Sequence, residues 1–422
     1  MIWLQNFIRC INKRPATKVC CKSVRKLMYS FLTFLKEEDE GGKLKHITHA
    51  EDRPLQNGSE GFDHAVGALQ QAHEHMKSGG HSTGLTMKYD GSPSIVFGRH
   101  PENNKFFVAS KSAFNKNPKI NYTNKDIEKN HGHAPGLVDK LKHALEHLPK
   151  VAPKKGVYQG DVMFSGEDKK ETKRGVSFTP NTITYSAKGS EADKIRKAKF
   201  GLVVHQQYHG NDIASMRADS SPDVHNFNQH EDVWHKSAEH DTSKINYSEK
   251  SQQQFRKHIE AAQAIHDKSG KQMYNTTEPH RGVGGHLETY INQTVRTGEK
   301  PTAKGLQKHI KNKFIKAASK LKTPAAQARK ETEAKSHVQH IENNSDHYNN
   351  LLNMHHHLQQ AKNVLVKNLE TNTGGLEHHI NNKPTGPEGF VVNYGGEPTK
   401  LVNRAEFAKA NLLRTNKFKK PE

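Results

Sequence analysis

LTMKYDGSPSIVFGR, residues 85–99, is the stretch from which the rest of the chain is read. An apolar approach ends on Lys88, the Asp90-Gly91 pair turns the chain, and Ile95, Val96 and Phe97 open a run of β-formers. Taken alone, the four residues describe an exposed lysine beside a tight turn. Upstream, GSEGFDHAVGALQQAHEHMKSGG (58–80) repeats Phe62, Val66, Leu69 and His73 at helical spacing, and Gly79-Gly80 ends the pattern. Downstream, HPENN (100–104) reads as a turn and FFVAS (106–110) as a strand. Leu137, Leu141, Leu145 and Leu148 then mark one face of a helix.

Further strands are predicted in GVYQGDVMFS (156–165), GVSFTPNTITYSA (175–187) and KFGLVVHQQYHG (199–210). After about Asp212 the chain turns polar and helical, with amphipathic stripes at Leu306, Ile310, Phe314, Ala317 and Leu321, and at Leu351, Met354, Leu358, Ala361 and Leu365. Strand character returns in GPEGFVVNYGG (386–396). The expected organisation is a basic N-terminal extension (1–41), an α+β domain in two parts (42–211 and 383–422), and a helical Lys/His-rich insertion (212–382). The basic start carries all three cysteines, Cys10, Cys20 and Cys21; it reads as an address or a membrane-surface helix or, the favoured reading, as an upstream extension with Met28 opening the chain proper.

Hydrophobic residues are 32% of the 422, so a core shares the chain with long polar helices. The net charge of +21 favours a polyanionic partner, nucleic acid first, because each lysine placed on a phosphate releases a counterion. A solvated basic surface is the plainer account of the same charge. With no disulfide framework and no apolar run of roughly 20 residues, a reducing, cytoplasmic setting is expected, the host's if the protein is viral. The runs His355-His356-His357 and His378-His379 cannot each chelate one ion, since adjacent helical residues point about 100° apart.

KYDGSPSIVFG resembles motif I of the covalent nucleotidyltransferases, the ATP-dependent polynucleotide ligases and capping enzymes. Further matches follow in the family's order. Lys111 in VASKSAF stands for an arginine, Asp161 in VYQGDVMF for a glutamate, and His205 lies in the strand that resembles motif III. PEGFVVNY is similar to motif IV with Glu388, and Lys400, twelve residues on, fits the first lysine of motif V. The resemblance implies an antiparallel-sheet adenylylation domain in which Lys88, Glu388 and Lys400 are catalytic. Tyr89, Asp90, Gly91, Lys111, Asp161 and His205 would bind nucleotide, and Asp161 and Glu388 would hold the metal. The implied cofactors are ATP and Mg²⁺, with Mn²⁺ as the alternative ion.

Four departures stand out: Pro93 where many ligases have arginine, aspartate at 161, His205-Gln206 for a Phe-Asp pair, and Val402 for a second lysine. Only 22 residues follow Lys400, too few for an OB barrel, which points to RNA ligases of the phage type. The expectation is an ATP-dependent RNA ligase that forms lysyl-AMP and passes AMP to a 5′-phosphate end. The alternatives are a capping guanylyltransferase, a DNA ligase, or a non-catalytic nucleic-acid-binding virion protein on a ligase scaffold. Beyond the motifs, the chain resembles uncharacterised proteins of large tailed phages.

Overall fold

The computed structural model describes residues 47–173, 175–277 and 283–404. The expected N-terminal extension, its cysteines and the last residues of the expected closing segment lie outside these. Strand β1 (Thr48–His49) leads through a 3₁₀ turn (Ala50–Asp52) into helix α1 (Arg53–Ser78). Strands β2 (His81–Lys88), β3 (Ser94–Arg99) and β4 (Phe106–Ala109) follow. Helices α2 (Asn124–His131) and α3 (Pro135–His147) precede β5 (Val157–Ser165), β6 (Lys169–Thr172), β7 (Gly175–Phe178) and β8 (Thr184–Ala187). Helix α4 (Gly189–Lys197) leads to β9 (Phe200–His209), β10 (Arg217–Asp219), β11 (Val233–Ser237) and β12 (Glu239–Asp241). Five helices come next: α5 (Glu249–Thr277), α6 (Val283–Thr297), α7 (Ala303–Ala318), α8 (Pro324–Asn343) and α9 (Ser345–Leu369). The described chain closes with β13 (Glu377–Ile380), β14 (Lys383–Pro384), β15 (Gly389–Tyr394) and β16 (Glu397–Leu401).

The architecture is α+β, with three mainly antiparallel sheets. The first runs β1-β16-β15-β2-β12, the second β10-β9-β5-β3-β4 with β11 also on β9, and the third β14-β13-β8-β7-β6. Two pairings are parallel, β1 with β16 and β11 with β9. Helix α1 lays its apolar stripe (Phe62, Val66, Leu69) on the core shared by the first and third sheets. Helix α3 and the 3₁₀ turn that follows it (Leu148–Lys150) cover the second sheet with Leu141, Ala144 and Leu148. The first and second sheets meet at Ala238, the single residue between β11 and β12. Its carbonyl accepts the Met87 amide (2.7 Å) and its own amide donates to Val204 (2.8 Å).

The structure moves the boundaries of the expected insertion. Residues 212–382 contain β10, β11 and β12 before the helices and β13 after them, all paired with strands outside that span. The helical part is α5 to α9, and it is not a separate body. Helices α5 and α9 pack on each other, and their buried residues belong to the same core as α1 and β2. Leu351, Met354, Leu358, Ala361 and Leu365 are buried along α9 as their spacing predicts. Leu306, Ile310 and Phe314 are buried on α7, but Ala317 is exposed and Leu321 lies past the helix end. The chain has to turn there, because Thr323 caps α8 and Pro324 opens it.

A buried polar cluster joins the helices to β1 and β16. Lys362 of α9 pairs with Glu51, and neither side chain is exposed at all. Asp52 accepts from Arg404 (2.9 Å) and meets His355 of α9 (2.9 Å). Burial alone would raise the Glu51 carboxyl, yet Lys362 holds it below its ordinary value.

Burial makes acid the weak side of this fold. It pulls His240 and His378 down to about 4 from the ordinary 6.5, and both are buried. Between those values the unfolded chain binds the extra protons, so stability is lost as pH falls through the window. Each group contributes a slope of at most roughly 1.4 kcal/mol per pH unit. Thermal melts should show the midpoint flat above pH 6.5 and falling steadily from there to pH 4.5. A midpoint that stays level over that interval would show that these imidazoles are not buried neutral.

Candidate active site

The register of the first sheet explains why Lys88, Glu388 and Lys400 meet. Side chains alternate along a strand, so Thr86 and Lys88 share one face of β2. Val391 pairs with Thr86 on one side and with Lys400 on the other, which puts Lys400 on that face too. Gly389 lies opposite Lys88, so Glu388 enters the strand beside the lysine, and the Lys88 Nζ is 2.7 Å from a Glu388 oxygen. The second sheet supplies the facing wall. Ser94 pairs with Asp161 across β3 and β5, and Gln159, two residues before Asp161, has the same parity. On β9 the pairing skips from Gln206 to Val204, a bulge that leaves His205 unpaired and turned toward Asp161. The His205 Nε2 lies 3.3 Å from Asp161 and 3.4 Å from Ser94.

Together these walls form a cavity of about 520 Å³ lined by Lys88, Lys111, Asp161, His205 and Lys400, with Ile47, Val203 and Val391 in its apolar part. The electrostatics follow from the crowding. Burial and the neighbouring Lys88 lower Lys400 from its ordinary value. Burial raises Glu388, and Asp90 and Asp161 add to the rise although Lys88 opposes it. Burial would raise Asp161 as well, but His205, Ser94 and Lys88 together hold it low. Asp161 is thereby kept as an anion, and Glu388 is the carboxylate more ready to take a proton.

The other residues of the KYDG stretch have inward-facing roles. Tyr89 reaches the cavity wall but is buried, with its ring near Tyr185 (6.0 Å). The Asp90 carboxylate faces away and accepts from Asn181 Nδ2 (2.7 Å) and the amides of Thr182 (2.6 Å) and Ile183 (2.8 Å). It ties the turn between β7 and β8 to the end of β2, which occupies the oxygens expected to meet nucleotide. Gly91 is needed for close approach, since a Cβ there would come within 2.6 Å of the Asp161 Cβ and 3.0 Å of the Val162 carbonyl.

Sequence reading missed the support behind the site. Gln159 donates to Ser94 (2.9 Å), and Tyr208 donates to Gln159, so a relay of polar groups orients His205 and Asp161. Parity could have found Gln159 and Thr86, each two residues before a named site residue. Gly91→Ala tests the packing against Asp161. It is expected to lower stability by about 1–3 kcal/mol and displace Asp161, whereas Gly136→Ala, with nothing within 4 Å, should be neutral or slightly stabilising. Equal midpoints for the two variants in chemical denaturation would refute that contact.

The model of one family, described as a family of unknown function (DUF6267), matches residues 44–417. No curated protein and no solved structure matches the chain. Among the described residues no helix is long and apolar enough to cross a membrane.

Proposed function

We propose that this chain, which belongs to the DUF6267 family, is a covalent nucleotidyltransferase that takes AMP from ATP onto Lys88 and passes it to the 5′-phosphate end of an RNA. The observation that carries the reading is the meeting of three lysines and a carboxylate at one cavity, Lys88, Lys111 and Lys400 with Asp161, and the contact of a second carboxylate, Glu388, with Lys88. A chemically idle pocket has little reason to gather cations that repel one another beside a partly buried nucleophile.

The chemistry divides among these side chains. The Lys88 amine must be neutral to attack, and Glu388 is the carboxylate within reach of its proton, at 2.7 Å. The Lys88 nitrogen forms a bond to the α-phosphorus while the bond to pyrophosphate breaks, and pyrophosphate leaves with that electron pair. Lys111 and Lys400 offset the phosphate charge. Asp161 and Glu388 offer hard oxygen donors that fit Mg²⁺ or Mn²⁺, and such an ion would supply further neutralisation of the phosphates. The AMP then moves to a terminal 5′-phosphate, and a 3′-hydroxyl displaces it to join the ends.

A polynucleotide acceptor is supported by a second feature. Between Glu299 and Glu331 the sequence has no acidic residue, and Lys304, Lys308, Lys311, Lys316 and Lys320 are all exposed on and just after α7. Such a surface suits a phosphate backbone. Incubation with α-labelled ATP and, separately, GTP is the direct test. Label from ATP that survives denaturation supports the ligase reading, label from GTP alone moves it to a capping-type transfer, and no label with either ion refutes both.

A further inference from the structure

Helix α3 carries a second group of donors, remote in role from Lys88, in the run His143-Ala144-Leu145-Glu146-His147. One donor atom from each of His143, Glu146 and His147 can be chosen so that all lie within 4.8 Å of one another. We propose that these three side chains bind a transition-metal ion of the Zn²⁺ class. Glu146 and His147 are adjacent and leave the helix about 100° apart, but each stands one turn beyond His143, which falls between them in helical angle, and their own donor atoms still come to 3.7 Å. The two imidazoles lie nearly parallel, 14° apart, with centroids at 6.0 Å.

The nearby lysines each have a carboxylate, Lys140 with Asp168, Lys142 with Glu128 and Lys150 with Asp232, and Lys150 also donates to His147 Nδ1 (3.4 Å), which leaves Nε2 as that ring's ligating atom. Glu146 instead faces His147, with its oxygen 3.7 Å from Nε2. The His147 side chain is only 3% exposed, so the helix holds its ring in place. The His143 Nδ1 is buried with no hydrogen-bond partner. Donors on a tetrahedral ion sit about 3.3 Å apart given metal–nitrogen bonds near 2.0 Å. The group therefore has to contract, and Glu146, 68% exposed, is the arm free to swing. Neutral imidazoles with one carboxylate select Zn²⁺, Co²⁺ or Ni²⁺ over Mg²⁺. Three protein donors leave the fourth position of such an ion to water, on the side of an open cleft of about 530 Å³.

The test uses the full chain, freed of metal by chelator and kept in excess Mg²⁺ so that the Lys88 cavity does not compete. Zn²⁺ titration followed by calorimetry should show one tight equivalent, and Co²⁺ should give the visible absorption of a tetrahedral site. His143→Ala, at a partly exposed position, should weaken that equivalent at least tenfold and abolish the rise in melting midpoint that Zn²⁺ gives the wild type. Glu146→Gln should weaken it as well. A wild-type chain that binds no Zn²⁺, or a His143→Ala chain that binds it with unchanged affinity, overturns the proposal. Neither result depends on nucleotide transfer.

Discussion

Lys88→Ala is expected to bring covalent nucleotide labelling to background, a loss of at least about 10⁴-fold, while the fold survives. The amine is the group to which the proposal assigns the bond, and the side chain stands at the end of β2 with 29% of its surface exposed. Its removal leaves Glu388 without its cation and beside Asp90 and Asp161, for which about 1–2 kcal/mol of stability should be lost. Lys88→Arg separates the two effects. A guanidinium keeps the ion pair with Glu388 but stays protonated, so the variant should melt like the wild type and still fail to take label. Label on the Lys88→Arg chain that survives denaturation would mean another residue is the nucleophile.

The largest effect on stability is expected at Lys362, far from the cavity in sequence and invisible to any local pattern. Lys362→Met leaves the Glu51 carboxylate buried without its partner and should destabilise the protein by about 3–5 kcal/mol. Pairing it with Glu51→Gln removes the orphaned charge, and the double variant should recover most of the loss. Chemical denaturation of the two singles and the double gives the coupling directly. A single variant that loses under 1 kcal/mol would mean that water or Arg404, 3.7 Å from Glu51, takes over the charge. Because the pair joins α9 to the turn after β1, the same change should loosen the pairing of β1 with β16, the strand that bears Lys400.

The resemblance carried Lys88, Lys111, Asp161, Glu388 and Lys400 in the sequence, and the structure brings these candidate residues close to one another. Strand parity gives the physical reason, because pairing turns the faces that bear Lys88, Asp161 and Lys400 together. What escaped was non-local. Strands β11 and β12 are short and rich in His, Lys and acidic residues, and they hold their shape by pairing with β9 and β2, which no apolar period announces. Glu51 and Lys362 stand 311 positions apart, so their burial depends wholly on how α9 packs. The resemblance made Asp90 a nucleotide-binding candidate, whereas its carboxylate accepts from three donors at 181–183, partners far along the chain that no local pattern reveals.

The junction at Ala238 has a mechanical consequence. The two cavity walls are stitched there through Met87 and Val204, and again where the Ser92 amide donates to the Val162 carbonyl (2.9 Å) and the Val162 amide to Pro93 (3.0 Å). Both seams run beside β2, so any movement that spread the walls would pivot there, with the largest displacement toward β16 and the turn after β4, where Lys400 and Lys111 stand. Lys88, at the end of β2, would move least.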